Sequence, residues 1–334
     1  MLPDRYNKFL EDLQPAIPES RLITDPLRTL AYGTDASFYR LIPKIVIKAN
    51  RETEVAQIVK TADRHDIAVT FRAAGTSLCG QAITDSVLVI AGSNWKDYKI
   101  LDDGHRIRLQ PGIIGGLANG YLIPFGRKIG PDPASINAAM IGGIAANNAS
   151  GMCCGTSQNS YRTVSSMRII LHDGSLLDTA DPHSRKSFYK THPELVADIE
   201  NLGRKVKDNP VLADRIRRKF KIKNTTGYSL NALVDYDDPI DIIVHLMVGS
   251  EGTLGFISEI VYNTVIEHPY KASALMIFPC MEYACTAAAV VKQQPVTAAE
   301  VMDRASLRSV ENNKGMPSFL KQLSETTTAL LVET

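Results

Sequence analysis

The sequence predicts a mixed helix-and-strand protein with two or three cores, and three observations lead there. A β-branched run, a helical repeat and a second strand succeed one another from Lys44; two later regions are dense in glycine and other small residues; and from His268 short strands and helices alternate. At 334 residues, 44% hydrophobic and 22% charged, the chain is long enough to bury that much.

Residues 1 to 40 read as an N-terminal arm, with an amphipathic helix near Tyr6 to Leu13. Lys44 to Lys48 is the first clear strand. Val55, Ile58, Val59 and Ala62 then fall at helical spacing, and Ile67 to Phe71 completes a β-α-β unit. The polar loop Arg72 to Thr84 leads to a third strand, Val87 to Ala91. Tyr98 to Leu109 carries strand signals on both sides of the turn at Asp102, Asp103 and Gly104, and Ile113 to Phe125 reads as a helix. After the glycine-rich stretch 130–155, Met167 to His172 and Ser175 to Thr179 make a hairpin around Asp173 and Gly174. Pro182 to Asn209 is polar helix, Ile240 to Met247 an apolar one, and Phe256 to Val265 a strand. The last rhythm is strand Ala274 to Phe278, helix Met281 to Val291, strand Ala299 to Met302, helix from Pro317 and strand Thr328 to Val332. The chain is expected to end inside this last domain, on an incipient strand.

A formal charge of +1, from 37 basic and 36 acidic side chains, gives no global field favouring nucleic acid or an anionic membrane. No stretch reaches the roughly 20 apolar residues of a membrane-crossing helix. Asp4, Arg5, Lys8 and Glu11 stand where a signal peptide would be apolar, so a cytoplasmic protein is expected, with peripheral attachment to the inner face of the cell membrane left open. The five cysteines, an odd number without a CxxC pair, read as free thiols, and no iron–sulfur or histidine metal-ligand spacing is present. His245, inside an apolar helical run, reads as a packed histidine. The basic cluster Arg215 to Lys223 reads as a solvated face or a contact for an acidic redox partner, and Arg72, Arg127, Lys128 and Arg304 as candidate anion-binding cations or surface charge.

Three loops can carry chemistry. Arg72, Ala73, Ala74, Gly75, Thr76, Ser77, Leu78, Cys79 and Gly80 follow a strand with small residues whose amides can converge on phosphate. The spacing is neither a nucleotide-kinase phosphate loop nor GxGxxG. The second loop sets Asn147, Asn148 and Ser150 among glycines, as ligand contacts or as support for buried backbone. In the third, Gly249 to Gly255, Glu251 either accepts cofactor hydrogen bonds or holds the turn.

PKIVIKANRETEVAQIVKTADRHDIAVTFRAAGTSLCGQA from Pro43, GPDPASINAAMIGGIAANNASGMCCG from Gly130 and GSEGTLGFISE from Gly249, in this order, resemble the flavoprotein oxidoreductases of the vanillyl-alcohol oxidase type. Within that type, the sequence resembles most the bacterial D-lactate and related D-2-hydroxy acid dehydrogenases. The resemblance implies an α+β fold in which residues 41–266 form an FAD-binding domain of two subdomains (the PCMH type), after the arm 1–40, with 267–334 a partial α/β substrate or cap domain. On the matching positions it implies FAD contacts from Arg72, Ala73, Ala74, Gly75, Thr76, Ser77, Gly80 and Gln81 in the first region. Pro131, Asp132, Ser135, Gly142, Gly143, Asn147 and Gly151 match the second region, and Glu251, Gly252 and Ile257 the third. Some members attach FAD through a histidine in the first loop; Thr76 stands there, so the FAD is expected to be noncovalent.

The same resemblance implies oxidation of a D-2-hydroxy acid, D-lactate first, with electrons passing to a quinone, cytochrome or iron–sulfur partner rather than NAD. Glycolate or D-2-hydroxyglutarate as substrate, or a noncatalytic FAD-binding assembly module of a split enzyme, are the alternatives. Catalytic residues are left unassigned, because the family's later histidine and metal cluster, and any fused iron–sulfur region, would lie beyond residue 334.

Overall fold

The computed structural model describes residues 2–334 and divides into two compact bodies, one running to Gly151 and resuming at Gly155–Ile266, the other comprising Met152–Cys154 and Glu267–Thr334. The first body contains two sheets, each with its own helices.

The residues expected as an arm are part of the first layer. Helix α1 (Asp4–Leu13) buries Tyr6, Phe9 and Leu13, three side chains on one helical face, and β1 (Leu22–Ile23) pairs antiparallel with β2 (Ile45–Lys48) beyond the short helix α2 (Pro26–Ala31). Burying each large apolar side chain is worth about 1.5–3 kcal/mol. Helix α3 (Glu52–Arg64) turns Val55, Ile58 and Ala62 inward and carries the chain to β3 (Val69–Arg72). Strand β4 (Val87–Ile90) then inserts between β2 and β3, parallel to both, giving the order β1-β2-β4-β3. Because the middle strands are covered on both faces, β2 and β4 read as unbroken apolar runs rather than alternating ones.

The second layer is antiparallel. Strands β5 (Tyr98–Leu101) and β6 (Arg106–Leu109) form a hairpin; helix α4 (Gly115–Leu122) follows, then β7 (Arg127–Ile129). After the short helices α5 (Ile141–Asn147) and α6 (Ser160–Thr163) come the paired strands β8 (Val164–Ile170) and β9 (Leu176–Asp178). Helices α7 (Pro182–Thr191), α8 (Pro193–Lys207), α9 (Pro210–Lys219), α10 (Ala232–Asp235) and α11 (Pro239–Met247) lead to β10 (Phe256–Ile266), which lies at the centre in the order β5-β6-β10-β8-β9 and also pairs with β7. In α11, His245 is buried with Nδ1 2.7 Å from the Asp241 carbonyl and its ring stacked on Tyr236, the packed histidine the sequence suggests.

Two contacts join the layers. Phe256 of β10 packs against Phe71 of β3 and Trp95, with ring centroids 4.9 and 5.2 Å apart. Arg168 of β8 donates from Nε and Nη2 to the Glu52 carboxylate of α3 at 2.8 and 2.7 Å, and from Nη1 to Asp178 at 2.7 Å; Ser258 also donates to Glu52. The Arg168 hydrogen bonds hold the Glu52 carboxyl below its ordinary value against the opposing effect of burial. A depressed carboxylate contributes stability that is present at neutral pH and lost as pH falls through its folded-state value. Arg168→Met is therefore expected to cost about 2–3 kcal/mol at neutral pH and less in acid. Urea midpoints of both proteins across the acid range measure this, and parallel curves would refute it.

In the second body, β11 (Ser273–Phe278), helix α12 (Met281–Val291), β12 (Ala298–Met302), helix α13 (Arg304–Val310) and β13 (Thr328–Glu333) build an antiparallel sheet of order β11-β13-β12. Strand β13, read from the sequence as an incipient strand, is the centre of this sheet. The expected helix from Pro317 is only a 3-10 turn, Ser318–Gln322, that buries Leu320; the helix here is α13, capped by the Asp303 side chain and anchored by Leu307. The Arg304 guanidinium is buried and pairs with Glu311 at 2.9 Å.

Candidate functional site

Between the two layers of the first body lies a cavity of about 850 Å³. Its walls come from the end of β3, Ala91 just after β4, the loop after β3, α5 and the segment before it, Lys223, Thr225 and Thr226, and the turn into β10. Strand ends and tight loops converge there because the aromatic contact of Phe71 with Phe256 holds the layers together behind it; both rings line the cavity.

The first loop supplies Arg72, Ala73, Ala74, Gly75, Thr76, Ser77 and Gln81 to the wall. Among the described residues, the amides of Ala74, Gly75, Thr76 and Ser77 donate to no group of the chain. Such a run of amides in a small-residue loop suits an anionic oxygen. Gly75 has φ +72°, a conformation side chains rarely adopt, and its carbonyl accepts the Ala36 amide at 3.0 Å. Arg72 braces the loop from inside: Nε and Nη2 donate to the Ala82 carbonyl at 2.7 and 2.5 Å. Burial pushes this guanidinium below its ordinary value. Ser77 donates to the Gln81 side-chain oxygen.

From the second region, Ser135, Gly142, Gly143 and Asn147 line the cavity, and a side chain at Gly143 would meet nothing, so the backbone there is open to a ligand. From the third, Glu251, Gly252 and Ile257 line it. Asn147 Nδ2 donates to Glu251 Oε1 at 2.6 Å, joining the two regions. Burial raises the Glu251 carboxyl above the usual carboxylate value, while the Asn147 bond acts the other way. The neighbouring Ser250 hydroxyl also lines the cavity, buried and with no partner among the described residues.

Four of the expected residues do not line it. Gly80 instead faces the Tyr39 ring, which an added β-carbon would approach to 3.1 Å. Pro131 sits buried just outside, and Asp132 and Gly151 form a clasp in which the Gly151 amide donates to Asp132 Oδ1 at 2.8 Å. That clasp ties together the two ends of the second region, whose inner residues Pro133, Ala134, Ala149 and Ser150 line the cavity. Sequence reasoning missed Phe71, Pro111, Met140, Phe256 and Lys223, each of which reaches the cavity. The apolar ones carried only a core signal; Lys223 was absorbed into the basic cluster. Of the other candidate cations, Arg127 is committed to Thr264 of β10 by two hydrogen bonds. Among the described residues no group of three or more His, Cys, Asp or Glu is arranged to hold a metal.

A cavity of this size with an anion-ready loop at one wall, open glycine backbone at another and an orphaned buried hydroxyl fits FAD. Ala74 to Ser77 would hold the pyrophosphate, and Asn147, Ser250 and Glu251 would meet polar edges of the cofactor.

Comparison with known proteins agrees. Residues 43–180 match the family described as FAD binding domain, and residues 267–334 the one described as FAD linked oxidases, C-terminal domain. The D-2-hydroxyglutarate dehydrogenase of Haemophilus influenzae is 26% identical over 280 residues, covering 79% of this chain and 26% of that protein. The glycolate oxidase subunit GlcD of Escherichia coli is 24% identical over 317 residues, 93% of this chain and 53% of its own length. The D-lactate dehydrogenase of Archaeoglobus fulgidus is 25% identical over 277 residues, 81% and 50%. The chain thus spans between about a quarter and about half of these relatives. Among solved structures, an alkyldihydroxyacetonephosphate synthase superposes with a TM-score of 0.66 at 15% identity, over 99% of this chain and 57% of that one. With both matched domains in sequence order, the chain belongs to the FAD flavoproteins of the vanillyl-alcohol oxidase type.

Proposed function

We propose that this chain is the FAD-binding part of an oxidoreductase that converts a D-2-hydroxy acid to the 2-oxo acid, D-lactate being the first candidate substrate and D-2-hydroxyglutarate and glycolate the others. The observation that carries the reading is the cavity between the two layers, walled by all three small-residue loops. Bound FAD supplies the two-electron acceptor for a hydride leaving the hydroxyl-bearing carbon. The chain's own residues would position it: the Ala73–Ser77 loop at the phosphates, the Asn147–Glu251 pair at a polar edge, and Phe71 and Phe256 excluding water behind.

The FAD is proposed to be noncovalent, on the ground that Thr76 stands in the first loop where some members of the type carry the attaching histidine. Among the described residues no helix is long and apolar enough to cross a membrane. The exposed cations Arg215, Arg217, Arg218 and Lys219 on α9, continuing to Lys221 and the cavity-lining Lys223, favour an acidic protein as the electron acceptor.

A second reading is an FAD module acting within a larger assembly, favoured by the 93% coverage of this chain by a relative whose name calls it a subunit. Anaerobic mixing of the FAD-loaded protein with D-lactate, D-2-hydroxyglutarate and glycolate separates the two. Bleaching of the visible flavin band by at least one of them is expected, and persistence of the band with all three, in a protein that binds FAD, leaves the module reading.

A further inference from the structure

Glu251 is the only carboxylate among the residues lining the cavity, and its placement is strained. Its backbone is left-handed, φ +54°, and held there by its amide bond to the Ala146 carbonyl at 2.9 Å, between Gly249 and Gly252. A non-glycine residue in that conformation costs about 1–3 kcal/mol and persists where the surroundings impose it. The one side-chain group bonded to the carboxylate is the neutral Asn147 amide at 2.6 Å.

The other titratable groups on the walls are Arg72 and Cys79 of the first loop and Lys223 after α9; α5 faces the carboxyl with Asn147 and the turn into β10 with Ser250, neither charged. None of the cations is bonded to Glu251. Arg72 is directed to the Ala82 carbonyl, and Lys223 Nζ lies 3.4 Å from the Gly151 carbonyl. A cofactor that brings a doubly anionic pyrophosphate and displaces water from this cavity works against a charged Glu251 twice, through like-charge repulsion and through desolvation.

We propose that Glu251 takes up a proton as FAD enters the cavity, which makes cofactor retention proton-linked through this one side chain. The inference rests on the assignment of the cavity to FAD. Burial by the chain's own residues holds the carboxyl above its usual range, with no charge partner to offset it. The sign follows: the FAD-bound form has the higher proton affinity, so binding is strongest below the titration of the FAD-free protein. It weakens as pH rises through the interval between the free and bound values, by up to about tenfold per pH unit, and levels off above it.

FAD affinity of the full chain is measured by flavin fluorescence over that pH range, for the parent and for Glu251→Gln. Glutamine keeps an oxygen to accept from Asn147 and carries no charge, so its affinity is expected to be flat in pH and to exceed the parent's at the alkaline end. Calorimetry in two buffers of different ionisation enthalpy gives the same answer on the parent alone, whether or not the glutamine variant folds: net proton uptake per FAD bound is expected. Equal pH profiles for parent and Glu251→Gln, or zero uptake, overturn the proposal. Proton release would mean that the carboxylate instead accepts a hydrogen bond from the cofactor in its charged form. Absence of FAD binding at every pH would fail the cavity assignment itself.

Discussion

Gly75→Val is expected to weaken FAD binding by about 5- to 150-fold, the equivalent of about 1–3 kcal/mol, with little change in thermal stability. The glycine sits at φ +72°, where a β-branched residue is strained whatever space surrounds it. Its β-carbon would also come 3.3 Å from Arg72 Cδ, pressing on the side chain that braces the loop from Ala82. The loop would relax by turning its amides away from a common focus, a change that a surface-connected segment tolerates and a phosphate does not. Fluorescence titration with FAD, alongside a thermal melt of the FAD-free protein, separates the two quantities. An unchanged affinity would show that Ala74 to Ser77 are not the phosphate cradle.

Gly151→Ala should act on the fold and the site together. A β-carbon there would stand 1.8 Å from the Asp132 carbonyl oxygen and 2.7 Å from its carboxylate, in place of a clasp closed by the 2.8 Å Gly151 hydrogen bond. The nearest obstruction is backbone, which cannot move aside as the tip of a side chain can. The expected cost is about 3 kcal/mol, a fall in Tm on the order of 5–10 °C. FAD affinity should fall with it, since both strands of the clasp run directly into cavity wall at Pro133 and Ser150. A melt shifted by less than about 2 °C would mean that the clasp opens without consequence.

Much of this architecture is legible in the sequence because its signals are local. The β2–α3–β3 unit shows itself through a β-branched run and the helical spacing of Val55, Ile58 and Ala62, and α11 through its apolar density. The helix over 281–291 is read correctly from composition alone. What is not legible is pairing. The order in which β4 slips between β2 and β3, and the antiparallel sheet hidden in the strand–helix alternation after His268, depend on contacts between residues far apart in sequence. Helix α13 escapes notice because it is short and marked chiefly by its cap at Asp303 and one buried leucine.

The site follows the same division. Small residues in the three regions advertise backbone that something must approach; the resemblance, not composition, singles out Gly143 and Gly252, and both line the cavity with Gly75. The clasp role of Asp132 and Gly151, and the bond from Asn147 to Glu251 across 104 positions, are set by the docking of distant loops and leave no trace in either segment alone.

The placement of two late strands bears on how the protein emerges from the ribosome. In the second layer β10 is the strand that β6, β7 and β8 all pair with, and in the second body β13 is the strand that β11 and β12 both pair with. In both, the strand that joins the others follows them in the sequence. Strand β11, complete at Phe278, waits for Thr328, roughly 50 residues and several seconds at ~5–20 residues/s. During that interval its backbone groups and those of β12 have no native partner. The first sheet, whose members are all made by Ile90, has no such delay and can fold early, so vectorial synthesis imposes an order on the layers: the mixed first sheet, then each antiparallel sheet closing as the strand that joins it arrives.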